Sequence, residues 1–242
     1  MKIPKSIYSR LRHDPIGTLR LVVRYSVIDR LMYFEHGGYD ARRYWQDRFL
    51  RHGFSLLAVG HEGLSEEDNR ENYFSARAVF LDFCAQHEIA LSSAKVLEVG
   101  CGTGFYTGTL RDSGVTDYVG IDIADVFLPR LRGDYPEYEF LQRDVTADPI
   151  GGCFDVIVMM DVIQHIVSRS RFRFAMENLK RCLADNGVLI IAPVGNINKK
   201  SGKLFIRLWS RDDIARSFTE CRVYEPIRYG DGTWLVGIRK AG

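Results

Sequence analysis

Val96-Leu97-Glu98-Val99-Gly100-Cys101-Gly102-Thr103-Gly104-Phe105 decides the reading of this chain. A short strand-like run enters three glycines at alternate positions, and a helical pattern follows. Glycine tolerates positive φ and lets a ligand approach the backbone closely. In a doubly wound sheet this first crossing is where nucleotide-like ligands sit. The dinucleotide fingerprint G-x-G-x-x-G/A does not fit: counted from Gly100 its third glycine falls on Phe105, and from Gly102 on Thr107. A P-loop fails because no Gly-Lys-Ser/Thr follows. Glu98 also disfavours a pyrophosphate, since an anion beside anions is costly, and suits a ligand carrying an ammonium or sulfonium cation.

Outward from this bend, strand-like runs at 96–99, 118–121, 138–141, 156–159 and 188–191 alternate with helical patterns near 107–112, 126–132, 169–183 and 211–218. Such alternation predicts a parallel sheet with helices on both faces. Two last runs, 222–227 and 234–239, are joined by Tyr229-Gly230-Asp231-Gly232, a turn that connects antiparallel neighbours. Upstream, the apolar spacing predicts helix over 7–34, interrupted at Pro15 and Gly17, then helices over 41–51 and 72–87, with a polar loop at 60–69.

Several motifs in this order resemble the class I S-adenosylmethionine-dependent methyltransferases. Glu98-x-Gly100-x-Gly102-x-Gly104 is similar to their first motif. Gly120-Ile121-Asp122-Ile123 ends the second strand on a carboxylate, and Arg143-Asp144-Val145 follows the third. Phe154 to Ile166 resembles the fourth-strand motif and Asn186-Gly187-Val188-Leu189-Ile190 the turn into the fifth strand. The resemblance spans about 95–240. It implies an α/β, Rossmann-like, seven-stranded and mostly parallel sheet with an antiparallel last strand and helices on both faces. The divisions expected are a helical N-terminal extension (1–94), on the lid or acceptor side, and a core (95–242). The cofactor implied is S-adenosylmethionine, held by Glu98, Gly100, Cys101, Gly102, Thr103, Gly104, Asp122, Ile123, Asp144, Val145 and Asp161. Asp122 would take the ribose hydroxyls and Asp144 the adenine amine.

The implied chemistry is methyl transfer from a sulfonium, in which holding nucleophile, methyl and sulfur in line supplies much of the acceleration. A dry pocket helps when the attacking atom is anionic, and an alcohol acceptor needs a base. His165, after the fourth strand, is the candidate general base; a loop-orienting role is its structural counterpart. No metal is expected, because Pro193-Val194-Gly195-Asn196 offers no carboxylate for a hard cation.

In this family added segments build the acceptor pocket, so 1–94 and Asn196 to Ser210 are expected to carry specificity. The lead-in pattern Tyr44-Trp45…Arg48, Val59-Gly60, Asn72-Tyr73…Arg77 is similar to methyltransferases of surface-glycan and natural-product pathways. Tyr44 and Tyr73 would close over donor or acceptor and Arg77 would pair with the donor's carboxylate, whereas Trp45 and Phe80 read as packing residues. The acceptor expected is a small polar molecule, methylated on a hydroxyl of a sugar, glycan or secondary metabolite. The alternatives are an RNA or protein methyltransferase and a non-catalytic donor-binding protein.

Composition agrees with a globular enzyme: 242 residues, 46% apolar, 26% charged and a net charge of +2, which excludes a polycation built for nucleic acid, and no DNA partner is expected. Residues 1–54 carry 11 Lys/Arg against 5 Asp/Glu, while the remainder is mildly acidic. The basic lead-in is open to three readings: a solvated helix face, a peripheral contact with an anionic membrane, or an RNA contact. Five dispersed cysteines and no secretory pattern lead to the expectation of a cytoplasmic protein.

Overall fold

The computed structural model describes residues 15–17, 23–35, 38–201 and 203–242. Of the helix expected over 7–34, most of residues 7–22 lies outside the described residues. Its last part is present as a π-helical turn, Arg24–Ile28, running into α1 (Asp29–Tyr33). Phe34 leaves the helix and enters a two-residue ladder with Gly38–Tyr39.

Three further helices complete the lead-in. In α2 (Ala41–His52) the Asp40 side chain accepts from the Arg43 N–H at the start, and Gly53, at φ 64, closes the end. A single turn, α3 (Leu56–Val59), follows. Helix α4 (Glu66–Gln86) begins earlier than the expected start at residue 72. The polar run that reads as loop is its capping machinery. Ser65 and Asp68 form a reciprocal capping box, and Glu66, Glu67 and Asp68 complement the positive end of the helix dipole.

The core alternates as expected: β1 (Lys95–Val99), α5 (Phe105–Asp112), β2 (Asp117–Asp122), α6 (Leu128–Asp134), β3 (Glu139–Gln142), β4 (Phe154–Met160), α7 (Arg169–Cys182), β5 (Leu183–Gly195) and α8 (Arg211–Ser217). The run expected as one strand over 222–227 is broken into β6 (Cys221–Val223) and β7 (Ile227–Gly230). Both pair with the same edge of β8 (Thr233–Lys240). The sheet order is β6-β8-β5-β4-β1-β2-β3, with β7 also on β8. β1 to β5 are parallel, and β8 inserts antiparallel beside β5. Strand alternation divides the interior. Val96, Val156, Val158 and Ile190 face a layer containing Phe80 and Phe83 of α4 and Leu110 of α5. Leu97, Val99, Ile157 and Leu189 face Phe172, Met176 and Leu179 of α7.

Gly237 in β8 is a packing requirement. A Cβ there would stand 2.2 Å from Cζ of fully buried Phe83 and 2.9 Å from Tyr224. Gly237→Ala is expected to destabilise the fold by about 1–3 kcal/mol through overpacking, read as a lower melting temperature by circular dichroism; an unchanged melt would refute this account of the contact.

Candidate active site

The bend after β1 is fastened to the end of β2. Gly100 N and Cys101 N both donate to the Ile121 carbonyl, at 2.7 and 3.1 Å. Gly102 N donates to Asp122 Oδ2 at 2.9 Å, and Ala124 N donates to Asp122 Oδ1 at 2.9 Å. Gly100 and Gly102 stand at φ 82 and 50. A Cβ on Gly100 would strike Val162 Cγ2 at 2.2 Å, and one on Gly102 would reach Val59 Cγ1 at 2.8 Å. The glycines thus let the post-β4 segment and the N-terminal extension close over the bend.

Beside the bend lies a cavity of about 610 Å³. It is lined by Gly100, Gly102, Asp122, Ile123, Asp144, Val145 and Asp161, and by Tyr39, Trp45, Phe49, Tyr73, His165 and Val167, with Ser168 and Arg171. Asp144 Oδ1 accepts from Thr146 N and Oγ1, at 2.8 and 2.6 Å, and its Oδ2 faces Arg171 at 3.6 Å. Asp161, at φ 57, accepts the Tyr229 hydroxyl at 2.6 Å. Burial pushes both the Asp122 and Asp161 carboxyls up to about 6.

His165 sits on a 3-10 turn, Ile163–His165. Its Nδ1 lies 3.0 Å from the Phe205 carbonyl oxygen, which can only accept, so the neutral ring carries its proton on Nδ1. Nε2 keeps its lone pair, and no described hydrogen bond uses it. Burial lowers the imidazole pKa to about 3, so the ring is uncharged near neutrality. The expected general base is thus only weakly basic in this setting. Behind it, Trp209 Nε1 donates to Ile166 O and Arg207 to Val167 O, at 2.8 and 3.0 Å. The segment Asn196 to Ser210 therefore buttresses the His165 turn rather than lining the cavity, contrary to expectation.

Several expected donor contacts stand elsewhere. Strand alternation places Glu98 on the Val96 face, where Oε2 accepts from Tyr118 and Thr107 at 2.5 and 2.8 Å and burial raises its pKa to about 7. The carboxylate expected to face a cation is engaged inside the core. Cys101, Thr103 and Gly104 shape the bend without forming the cavity wall. Tyr44 is buried among Tyr33, Tyr39 and Phe205, stacked on the last at 4.6 Å. Arg77 lies over the Phe74 ring on α4. Neither Tyr44 nor Arg77 reaches the cavity, whereas Trp45, expected as packing, meets the His165 ring at 4.8 Å and does. The signal for Trp45 was its place one residue after Tyr44, which turns it to a different face of α2.

The extension is tied to the core loops around this cavity. Gln46 Nε2 donates to Asp125 at 3.1 Å, Phe49 stacks on Phe127 at 4.6 Å, and Arg42 faces Asp148 at 3.7 Å. Among the described residues no cluster of three or more His, Cys, Asp or Glu side chains could hold a metal ion.

Sheet order, glycine bend and strand-end carboxylates together define the class I S-adenosylmethionine-dependent methyltransferase fold. Residues 96–187 match the methyltransferase-domain family, a domain whose cofactor is S-adenosylmethionine. The chain is similar to the tRNA U34 carboxymethyltransferase of Tolumonas auensis, 33% identical over 43% of this chain and 33% of the relative. It is also similar to the ubiquinone biosynthesis O-methyltransferase of Psychrobacter cryohalolentis, 28% identical over 56% of this chain and 52% of that protein. The chain thus spans from a third to about half of the length of these curated relatives. Among solved structures, the magnesium protoporphyrin IX methyltransferase of Synechocystis with bound S-adenosylmethionine shares the fold. Its TM-score is 0.63 at 16% identity, over 86% of this chain and 100% of that one.

Asp161 provides a test of the site's electrostatics. A carboxyl whose pKa is higher in the folded chain contributes stability fully below its unfolded value, near ~3.9, and loses it as pH rises through the folded value. For Asp161 that window runs up to about 6. Asparagine tolerates the left-handed backbone and can still accept the Tyr229 hydroxyl. The melting temperature of Asp161→Asn relative to wild type is therefore expected to rise between pH 5 and pH 8; a constant difference across that range would contradict the buried-carboxylate assignment.

Proposed function

We propose that this chain transfers a methyl group from S-adenosylmethionine to a hydroxyl of a small, ring-bearing acceptor. When bound, S-adenosylmethionine supplies a methyl on a sulfonium, already activated for displacement. The cavity fits that donor: its volume lies in the range of ordinary small-molecule sites, and the glycine bend and three carboxylates line it. Asp122 is held rigid by backbone N–H groups and keeps acceptor capacity for the ribose hydroxyls. Asp144 would take the adenine amine, between Ile123 and Val145. Asp161 would face the donor's ammonium group, the role that Glu98 is too engaged to fill.

The observation that carries the acceptor side is the carbonyl-locked tautomer of His165. An imidazole Nε2 lone pair on the cavity wall accepts a hydrogen bond from a hydroxyl and aims its oxygen. The ring is too weak a base to ionise an alcohol beforehand. The hydroxyl proton becomes strongly acidic only as the oxygen bonds to carbon, so Nε2 can take it late. The walls of Tyr39, Trp45, Phe49 and Tyr73 favour a planar ring, as in a secondary metabolite, over an open, fully polar glycan. The extension, by this reading, is the lid of the acceptor side and excludes water. A cavity closed by that lid suits a small molecule better than an RNA or a protein, and the RNA substrate named for the carboxymethyltransferase relatives concerns those proteins.

Titration calorimetry with S-adenosylhomocysteine is expected to give binding to wild type and at least about tenfold weaker binding to Asp122→Ala, the loss of hydrogen bonds to a charged group; equal affinities would reject the donor site.

Release of S-adenosylhomocysteine with phenolic and other hydroxylated acceptors tests catalysis. His165→Ala is expected to lower kcat by about 100-fold with donor affinity kept, and the wild-type pH profile to lack a limb near 6.5 from this residue. Donor binding without turnover across the panel would identify a non-catalytic binding protein instead.

A further inference from the structure

We infer that the helical segment Arg24–Tyr33 with Phe34 is a docking surface for an anionic lipid bilayer, lying in the interface rather than crossing it. The segment is inside out. Asp29 and Tyr33, four apart and 1% exposed, face the body of the protein. The Arg24 guanidinium turns inward to Asp29 and Glu62, at 3.6 and 3.3 Å. The apolar side chains point to solvent: Val23, Val27 and Leu31 form one stripe at helical spacing, with Ile28, Met32 and, just past the helix, Phe34 also exposed, and Leu31 is 80% exposed. A helix packed on a water-soluble surface shows the opposite arrangement. Contiguous exposed apolar side chains of this kind mark an interaction face.

Charge selects the occupant. Residues 1–34 carry Lys2, Lys5, Arg10, Arg12, Arg20, Arg24 and Arg30 against Asp14 and Asp29, a net +5. Within the described part, Asp29 and Arg24 offset each other in the interior, and exposed Arg30 adjoins the stripe. A second copy of the chain would set this positive segment against itself, whereas anionic headgroups complement it. Apolar side chains flanked by basic ones are the pattern that seats a helix in the headgroup layer. No helix among the described residues is long and apolar enough to span. The cavity wall begins at Gly38, four residues after Phe34, so docking would bring the acceptor rim to the lipid surface.

Flotation of the full chain, without donor, against vesicles of pure phosphatidylcholine and of phosphatidylcholine mixed with phosphatidylglycerol tests this independently of the methyl-transfer reading. Wild type is expected to float with the anionic vesicles at least about tenfold better than with the neutral ones. Val27→Glu/Leu31→Glu should abolish flotation and Arg30→Glu should weaken it, with melting temperatures kept because these positions are exposed. Wild type failing to float with either vesicle, or the double variant floating as well as wild type, would overturn the inference. So would a vesicle-free dimer on size exclusion that Leu31→Glu splits, which would assign the stripe to a second copy.

Discussion

The structure depends on one short link, the Asp122 carboxylate accepting the Gly102 N–H. With the Ile121 carbonyl taking Gly100 N and Cys101 N, it folds the chain after β1 back onto the end of β2. A backbone turn with positive φ at three positions loses conformational entropy and satisfies few of its own polar groups. The strand-end carboxylate supplies the missing acceptors. It also fixes where that carboxylate can stand, so the group that shapes the bend is the one that faces a ligand at the sheet's carboxyl edge. Burial without a counter-charge raises the Asp122 pKa, a tension that hydroxyl donors from a ligand would relieve.

Local chemistry made most of the core legible from the sequence. The strands at 96–99, 118–121 and 188–191 lie inside observed strands because β-branched runs bounded by glycine or charge have little else to become. Asp122, Asp144 and Asp161 were legible for the same reason, since a carboxylate just past a buried strand ends on the sheet edge. Glu98 was misread because its spacing from the glycines was weighed and strand alternation was not; alternation sends it to the Val96 face, among Tyr118 and Thr107. The end of the expected loop, 66–69, was misread because capping residues and loop residues share a composition. Tyr44, Trp45 and Arg77 could not be placed at all, because the angle at which a short helix meets the core is set by tertiary contacts such as Phe49 on Phe127.

The acceptor side shows how a late segment can govern an early one. The Phe205 carbonyl sets the tautomer of His165, and Trp209 and Arg207 pin the two carbonyls that follow it. Residues 205–209 act on the cavity through that turn and through the packing of Phe205 on Tyr44. Tyr44, fully buried, stacks on Phe205, and Trp45 meets the His165 ring. The extension and the segment 205–209 thus hold a single histidine between them, which explains why neither Tyr44 nor Phe205 needs to touch a ligand to matter.

The inside-out segment before Phe34 follows from the same economy. The interior of the lead-in is polar: buried Arg48 donates to Leu57 O, Gly60 O and the Tyr44 hydroxyl, and Glu62 gathers Arg24, Arg51 and His52. A helix packing against such a surface must present charge inward, as Arg24 and Asp29 do. With its polar side spent on the protein, its aliphatic side is left facing out. In water that arrangement costs apolar hydration on every exposed side chain of the stripe. A sequence that keeps valine, leucine and phenylalanine at those positions, with Arg30 exposed beside them, suits the anionic bilayer surface inferred for this segment.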